Sequence, residues 1–262
     1  MRRAVVAGAL AALALGAGSA CAAGGTSARA DAQVAQSPAP GSAGLIALTF
    51  DDGPTAMTDE ILDVLADKGV QATFFVVGER AQRRPATLRR LQREGHVIGN
   101  HSWSHPNFSD LDAHQTRRQI LRTNAVVRRV TGTSPVLFRY PYGDETQEGN
   151  TVIRENQMWG GVLWHWQTGA GDFTCPGPEG VVRYLNDNAV DQALLLLHDG
   201  NEVDSCSRPQ MEYLPEAIDS LRARGFEFGV VASAGGPSAV NQSSWVRVIP
   251  ASDTGARTGT RG

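Results

Sequence analysis

The sequence predicts an α/β fold: a single distorted (β/α) barrel of about seven strands, with a parallel sheet and the helices outside. Three observations lead there. Short apolar runs alternate with helix-period segments from Leu45 to Val231. The runs are apolar at successive positions, Ala193-Leu194-Leu195-Leu196-Leu197 most of all, which suits strands covered on both faces. No Gly-rich phosphate loop follows the first run, which favours a closed or nearly closed barrel over an open doubly wound sheet.

Leu45–Thr49 reads as the buried first strand. A helix follows over Asp59–Lys68, with Ile61, Leu62 and Leu65 on one face and Gly69 just past its end. Ala72–Val77 is a strand. Pro85–Arg93 is a helix with proline near its start and Gly95 beyond its end, and Val97-Ile98 is a short strand. Asp112–Val130 is the longest helix, with a stripe of Ile120, Leu121, Val127 and Val130 and a stop at Gly132. The rhythm then repeats. Val136–Phe138, Gly161–Trp164, Ala193–Leu197 and Phe226–Val230 read as strands, and Thr151–Gln157, Glu179–Asn188 and Tyr213–Arg224 as helices.

The flanks differ in composition. Residues 1–30 read as a signal peptide: Arg2 and Arg3 precede an uncharged run from Ala4 to Gly18. Ala28-Arg29-Ala30 fits a cleavage site, while Gly18-Ser19-Ala20-Cys21 loosely matches a lipobox. The expected product is secreted. The alternatives are a lipid anchor at Cys21, which would hold it to the outer face of the cell membrane, and an uncleaved membrane anchor. Residues 31–44 read as a flexible linker, 45–231 as the folded domain, and 232–262 as a flexible polar tail in which Trp245–Ile249 could form one short strand. The 262 residues carry a net charge of -3, with Lys68 the sole lysine, so nothing supports a nucleic-acid partner. A monomer is expected. With Cys21 removed or lipidated, Cys175 and Cys206 remain, and an even count in an exported chain points to a disulfide.

In barrels of this kind functional groups gather at the C-terminal ends of strands. The unusual polar residues fall there. Asp51 and Asp52 follow the first strand, and adjacent ionised carboxylates need exposure or a cation. His101 and His105 follow Val97-Ile98 at a spacing that puts both imidazoles on one side of a turn. Two histidines and a carboxylate form a common catalytic metal set. Arg139 ends another strand, where it can hold a nearby carboxylate ionised. His198 emerges from the leucine run and suits general-acid work. Trp103, Trp164, Trp166 and Tyr140 are candidates to stack on sugar rings, and His165 between two tryptophans stays undecided.

These segments together resemble the polysaccharide deacetylases, the NodB-homology group known as carbohydrate esterase family 4. Thr49-Phe50-Asp51-Asp52-Gly53, His101-Ser102-Trp103-Ser104-His105, Arg139-Tyr140-Pro141-Tyr142-Gly143 and Leu196-Leu197-His198 match its motifs in order, over residues 45–231. The resemblance implies a NodB-like barrel and a hydrolase acting on non-peptide carbon–nitrogen bonds. It implies Asp51 as general base, Asp52, His101 and His105 as metal ligands, and Arg139 as the residue holding the base. The Tyr142 backbone N–H would bind the oxyanion, Leu196 would line the acetyl pocket, and His198 would be the acid. The expected cofactor is a divalent metal, Zn²⁺ first and Co²⁺ second. The expected substrate is an extracellular polysaccharide, chitin oligosaccharide or peptidoglycan, with Tyr140 and Trp164 among its contacts. The alternatives are an acetylxylan esterase using the same site, a non-catalytic glycan-binding relative, and an unrelated metal-dependent peptide amidase. One motif departs: Gln167 stands where the family has an aspartate near Trp164, and Asp172-Phe173 lies after a two-residue insertion. A lower pKa is therefore expected for His198 unless Asp172 or Asp199 compensates.

Overall fold

The computed structural model describes residues 41–162, 171–200, 206, 212–233 and 246–254. Its centre is β1, Gly44–Asp51, buried along its whole length. Residues alternate across a strand with period two, and here the two faces enter different cores. Ile46, Leu48 and Phe50 pack under the helices, and Leu45 and Ala47 join Phe75 and Val231 in a second cluster. Thr49 and Asp51 continue the Leu45–Ala47 face, so the strand's last residue is carried toward the interior.

Parallel partners surround β1. β2 (Thr73–Val76) lies along one edge and pairs in turn with β3 (Val97–Asn100). The other edge is shared: the first half of β1 pairs with β5 (Phe226–Ser233), the second half with β4 (Leu194–His198). This branching curls the sheet into the distorted barrel that the sequence predicts. The register sets Asp51 directly opposite His198, side by side at one rim.

The helices follow the sequence with local adjustments. α1 (Ala56–Lys68) starts earlier than its apolar stripe because Thr55 and Thr58 form a capping box, and it ends at left-handed Gly69. α2 (Gly78–Arg83) was not expected; six residues opening on glycine carry no apolar period. α3 (Pro85–Arg93) matches. α4 (Ala113–Thr131) is capped by Asp112, whose side chain accepts from the Gln115 N–H, and ends at left-handed Gly132. α5 (Gln147–Glu155) begins ahead of its expected start, capped by Thr146. α6 (Pro178–Asn188) and α7 (Tyr213–Ala223) complete the outer layer.

Two expected strands differ, and a third element extends the sheet. Val136–Phe138 is not a ladder strand; Leu137 and Phe138 make only single bridges, to Trp159 and Asn100. Gly161 and Val162 carry no strand, and residues 163–164 lie outside the described residues. β6 (Val246–Pro250) falls where the sequence allows one short strand in the tail; it pairs antiparallel with β5, which itself runs to Ser233, so this part of the tail joins the sheet.

Candidate active site

The strand ends bring Asp51, Asp52, His101, His105, Arg139 and His198 to one rim. Asp52 sits at φ 79°, Ser102 at 68°, His105 at 60° and Tyr142 at 59°. Left-handed backbone is costly for residues with a Cβ, and such strain gathers where side chains must be aimed. The surrounding bonds hold it. Arg80 Nη1 donates to the Asp52 carbonyl at 2.6 Å. Asn100 Oδ1 accepts the Ser102 N–H, Ser102 Oγ accepts the His105 N–H, and Gln119 Oε1 accepts the N–H groups of Trp103 and Ser104.

Asp52 Oδ1 faces His105 Nε2 at 3.0 Å and His101 Nε2 at 3.4 Å. His101 Nδ1 lies 2.8 Å from the Arg139 carbonyl, which can only accept, so Nδ1 carries the proton and Nε2 presents a lone pair. Asp52 Oδ1 is buried without a well-placed hydrogen-bond donor. Burial raises the Asp52 pKa, yet the polar contacts and charges of His101 and His105 outweigh it and hold the carboxyl far below the usual range. Burial disfavours charge on His101 as well, yet Asp51 and Asp52 raise its pKa. Both shifts are those of a pocket that draws in positive charge. One oxygen and two ring nitrogens within 4.8 Å of one another fit a divalent cation.

Asp51 has a different partner. Arg139, fully buried, donates from Nη1 to Asp51 Oδ1 at 2.7 Å and to Thr49 Oγ1 at 2.9 Å, and from Nε to the Val162 carbonyl at 2.8 Å. Its guanidinium lies 4.1 Å over the Phe75 ring, which leaves little freedom to swing. The expected pairing of Arg139 with the first carboxylate is therefore present in the geometry.

His198 is held by Asp172. Asp172 Oδ1 lies 2.7 Å from His198 Nδ1, and Oδ2 accepts the His198 backbone N–H at 2.7 Å. Burial disfavours the imidazolium, but the Asp172 hydrogen bond and charge, with help from Asp51 and Asp52, push its pKa up to about 9. The condition attached to Gln167 is met: Asp172 supplies the carboxylate, so no lowered pKa results. The Phe173 ring stands edge-on to His198, with centroids 5.4 Å apart. Gln167, Trp164, His165 and Trp166 lie outside the described residues.

Leu196 shares a face of β4 with His198 and is buried, as a pocket lining requires. Tyr142 is exposed, its ring T-shaped against His105 at 4.6 Å. Tyr140 does not reach substrate. It is fully buried among Phe108 and Phe138, and its hydroxyl donates to Asn150 Oδ1. Trp103 is half-buried against α4. Cys175 and Cys206 form the expected disulfide. Sequence reasoning missed Arg80 and gave Asp199 no place at the base's turn. Asp199 Oδ1 accepts the Gly53 N–H at 2.9 Å, Oδ2 accepts the Thr58 hydroxyl at 2.6 Å, and its own N–H donates to the Asp51 carbonyl. A Cβ at Gly53 would collide with that carboxylate, which accounts for glycine after Asp52.

A curled parallel sheet carrying an Asp-His-His cluster, an Asp–Arg pair and an Asp–His pair at one rim defines a hydrolase-like centre. A family model for polysaccharide deacetylase matches residues 39–159. The chain is 32% identical over 196 residues to the peptidoglycan-N-acetylglucosamine deacetylase of Bacillus cereus, covering 72% of this chain and 67% of that one. It is 34% identical over 188 residues to the chitooligosaccharide deacetylase of Sinorhizobium fredii, covering 68% and 86%. A solved family 4 carbohydrate esterase from Streptomyces lividans, in complex with acetate, superposes with a TM-score of 0.67 at 25% identity, over 80% of this chain and 99% of that one. The chain belongs to the polysaccharide deacetylase family.

Proposed function

We propose that the protein hydrolyses N-acetyl groups on an extracellular polysaccharide of chitin-oligosaccharide or peptidoglycan type, in a metal-dependent reaction. The observation that carries this is the convergence of Asp52, His101 and His105 between two ready-made pairs, Asp51–Arg139 and His198–Asp172. Asp52, His101 and His105 would hold the cation, Zn²⁺ before Co²⁺, which when bound polarises a carbonyl and eases deprotonation of water. Asp51, oriented by Arg139, accepts the proton of the attacking water. The Tyr142 N–H is offered to the tetrahedral oxyanion. His198, protonated at neutral pH through Asp172, donates from Nε2 to the departing amine. Leu196 lines the acetyl pocket. Export is supported by the Arg2-Arg3 segment with its apolar run and by the disulfide, which suits an oxidising compartment.

The test is acetate release from chitooligosaccharide, peptidoglycan and acetylxylan, before and after chelation and with Zn²⁺ or Co²⁺ restored. Chelator-sensitive release from the first two supports the proposal. Release from acetylxylan alone would make the protein an esterase, and none from any substrate would make it a glycan binder.

A further inference from the structure

Trp103 of the His101–His105 loop and the first turns of α4 border an open groove of about 680 Å³. Trp103, His114, Arg117, Arg118, Gln119 and Arg122 line it together with Gln115 and apolar side chains, and among the described residues no carboxylate does. Arg117 is held by Glu155 at 2.7 Å. Among the described residues no carboxylate pairs with Arg118 or Arg122. Arg118 and Arg122 lie four residues apart on one helix stripe, an arrangement that like charges make unfavourable on a bare helix. The Arg122 guanidinium lies 3.6 Å over the Trp103 ring. A guanidinium stacked in this way is pre-organised and keeps its N–H edges free for bidentate carboxylate contacts.

The groove is also wired to the site. Gln119, which lines it, accepts from the Trp103 and Ser104 N–H groups at 2.8 and 2.9 Å and donates to Ser104 Oγ at 2.9 Å. Trp103 and Ser104 sit between His101 and His105. Gln119 thus ties the lining of the groove to the loop that carries the two candidate histidine ligands.

We infer that this groove is an accessory subsite for carboxylates carried by the glycan, and that it selects an acidic, peptide-substituted strand over a neutral chitin-type one. The inference rests on the deacetylase reading and names its substrate class. Charge complementarity favours this occupant: two guanidinium groups with no carboxylate partner among the described residues, one of them held in place over Trp103, suit a sugar chain bearing carboxylates, whereas a neutral chain leaves both charges unanswered.

The test compares soluble peptidoglycan strands bearing peptide stems with chitohexaose, in the wild type and in an Arg118→Gln, Arg122→Gln double variant. Both residues are exposed, and circular dichroism verifies folding. KM for the stem-bearing strands should rise about tenfold in the variant, with kcat and the chitohexaose KM unchanged. Raising the salt should erase the wild-type preference and leave the variant unaffected. Equal changes for both substrates, or none, overturn the inference. Isothermal titration of the same glycans into Asp51→Asn, with and without the arginine changes, needs no turnover. There a lost advantage for the acidic strand supports the subsite even if the deacetylase reading fails, and identical heats overturn it. Arginine-dependent binding of a phosphodiester polymer, with the acidic glycan unaffected, would also overturn it.

Discussion

Asp172 grips His198 with both carboxylate oxygens, one on the ring Nδ1 and one on the backbone N–H, each at 2.7 Å. The ring is thereby fixed in direction and in protonation, with Nε2 left to face the site. An acid must be protonated to act, so activity should fall as pH rises through the His198 pKa, near 9. Asp172→Asn removes the charge that holds the proton, and the basic limb of the pH–rate profile should move down toward the ordinary imidazole value of about 6.5. Gln167→Asp should leave that limb in place, because Nδ1 already has its carboxylate. A basic limb that answers to position 167 and ignores position 172 would reverse the assignment.

The adjacent carboxylates should separate by experiment. Asp51→Asn keeps the Asp52-His101-His105 set, so metal content should hold while kcat falls by about 10²–10⁴, the range of a lost general base. Asp52→Ala should lose the metal, read by elemental analysis after gel filtration. Metal lost from both variants would place Asp51 among the ligands. Arg139→Met is a harsher change. It strands a buried carboxylate, and breaking such a pair costs about 3–5 kcal/mol, which a urea titration would register.

Asp199 makes a pH-dependent contribution to stability. Burial pushes its carboxyl up to about 7, against the bonds from Thr58 and Gly53. A folded pKa above the unfolded value of about 3.9 means the native state binds a proton that the unfolded chain has released. Stability from this group is therefore greatest in acid and declines as pH rises from about 4 to 7, by an amount on the order of 4 kcal/mol. The His198 contribution is also present at low pH, but it persists to higher pH and is lost only as pH climbs from about 6.5 to 9. Urea unfolding of the chelated protein against an Asp199→Asn control should isolate the lower window. Parallel slopes in the two proteins would show that Asp199 does not titrate there.

Much of this was legible because each main functional side chain ends an apolar run. Asp51 closes β1, His198 closes β4, and His101 follows β3, so strand prediction and site prediction reinforced each other. Tyr140 misled for the same reason: it stands in a motif beside exposed Tyr142, but its ring turns into the cluster of Phe108 and Phe138. Asp172 lies 26 residues before His198 in irregular chain, where only folding brings the two together. Asp199 reaches Gly53 across 146 residues, a contact no local pattern announces. The left-handed φ values at Asp52, Ser102, His105 and Tyr142 are imposed by tertiary hydrogen bonds, and residue types that normally avoid that region gave no warning of them.

The disulfide is coupled to the acid. Cys175 follows the 3-10 turn Asp172–Thr174 and donates its N–H to the Asp172 carbonyl at 3.0 Å, while Cys206 Sγ lies 3.8 Å from the same oxygen. The bond closes a loop of sequence separation 31, worth about 3–4 kcal/mol by chain entropy. Reduction should therefore lower the unfolding midpoint first. It should also loosen the turn that presents Asp172, so the basic limb of the pH–rate profile should drift down in the reduced, still folded protein. Metal content should not change, since Asp52 follows β1 and His101 and His105 follow β3, none of them on the segments that the disulfide joins. A Cys175→Ser, Cys206→Ser variant tests both effects without reductant. Midpoint and basic limb moving together support the coupling. A lower midpoint with an unmoved limb would make the disulfide a staple alone, and metal loss on reduction would tie the bridge to the Asp-His-His cluster instead.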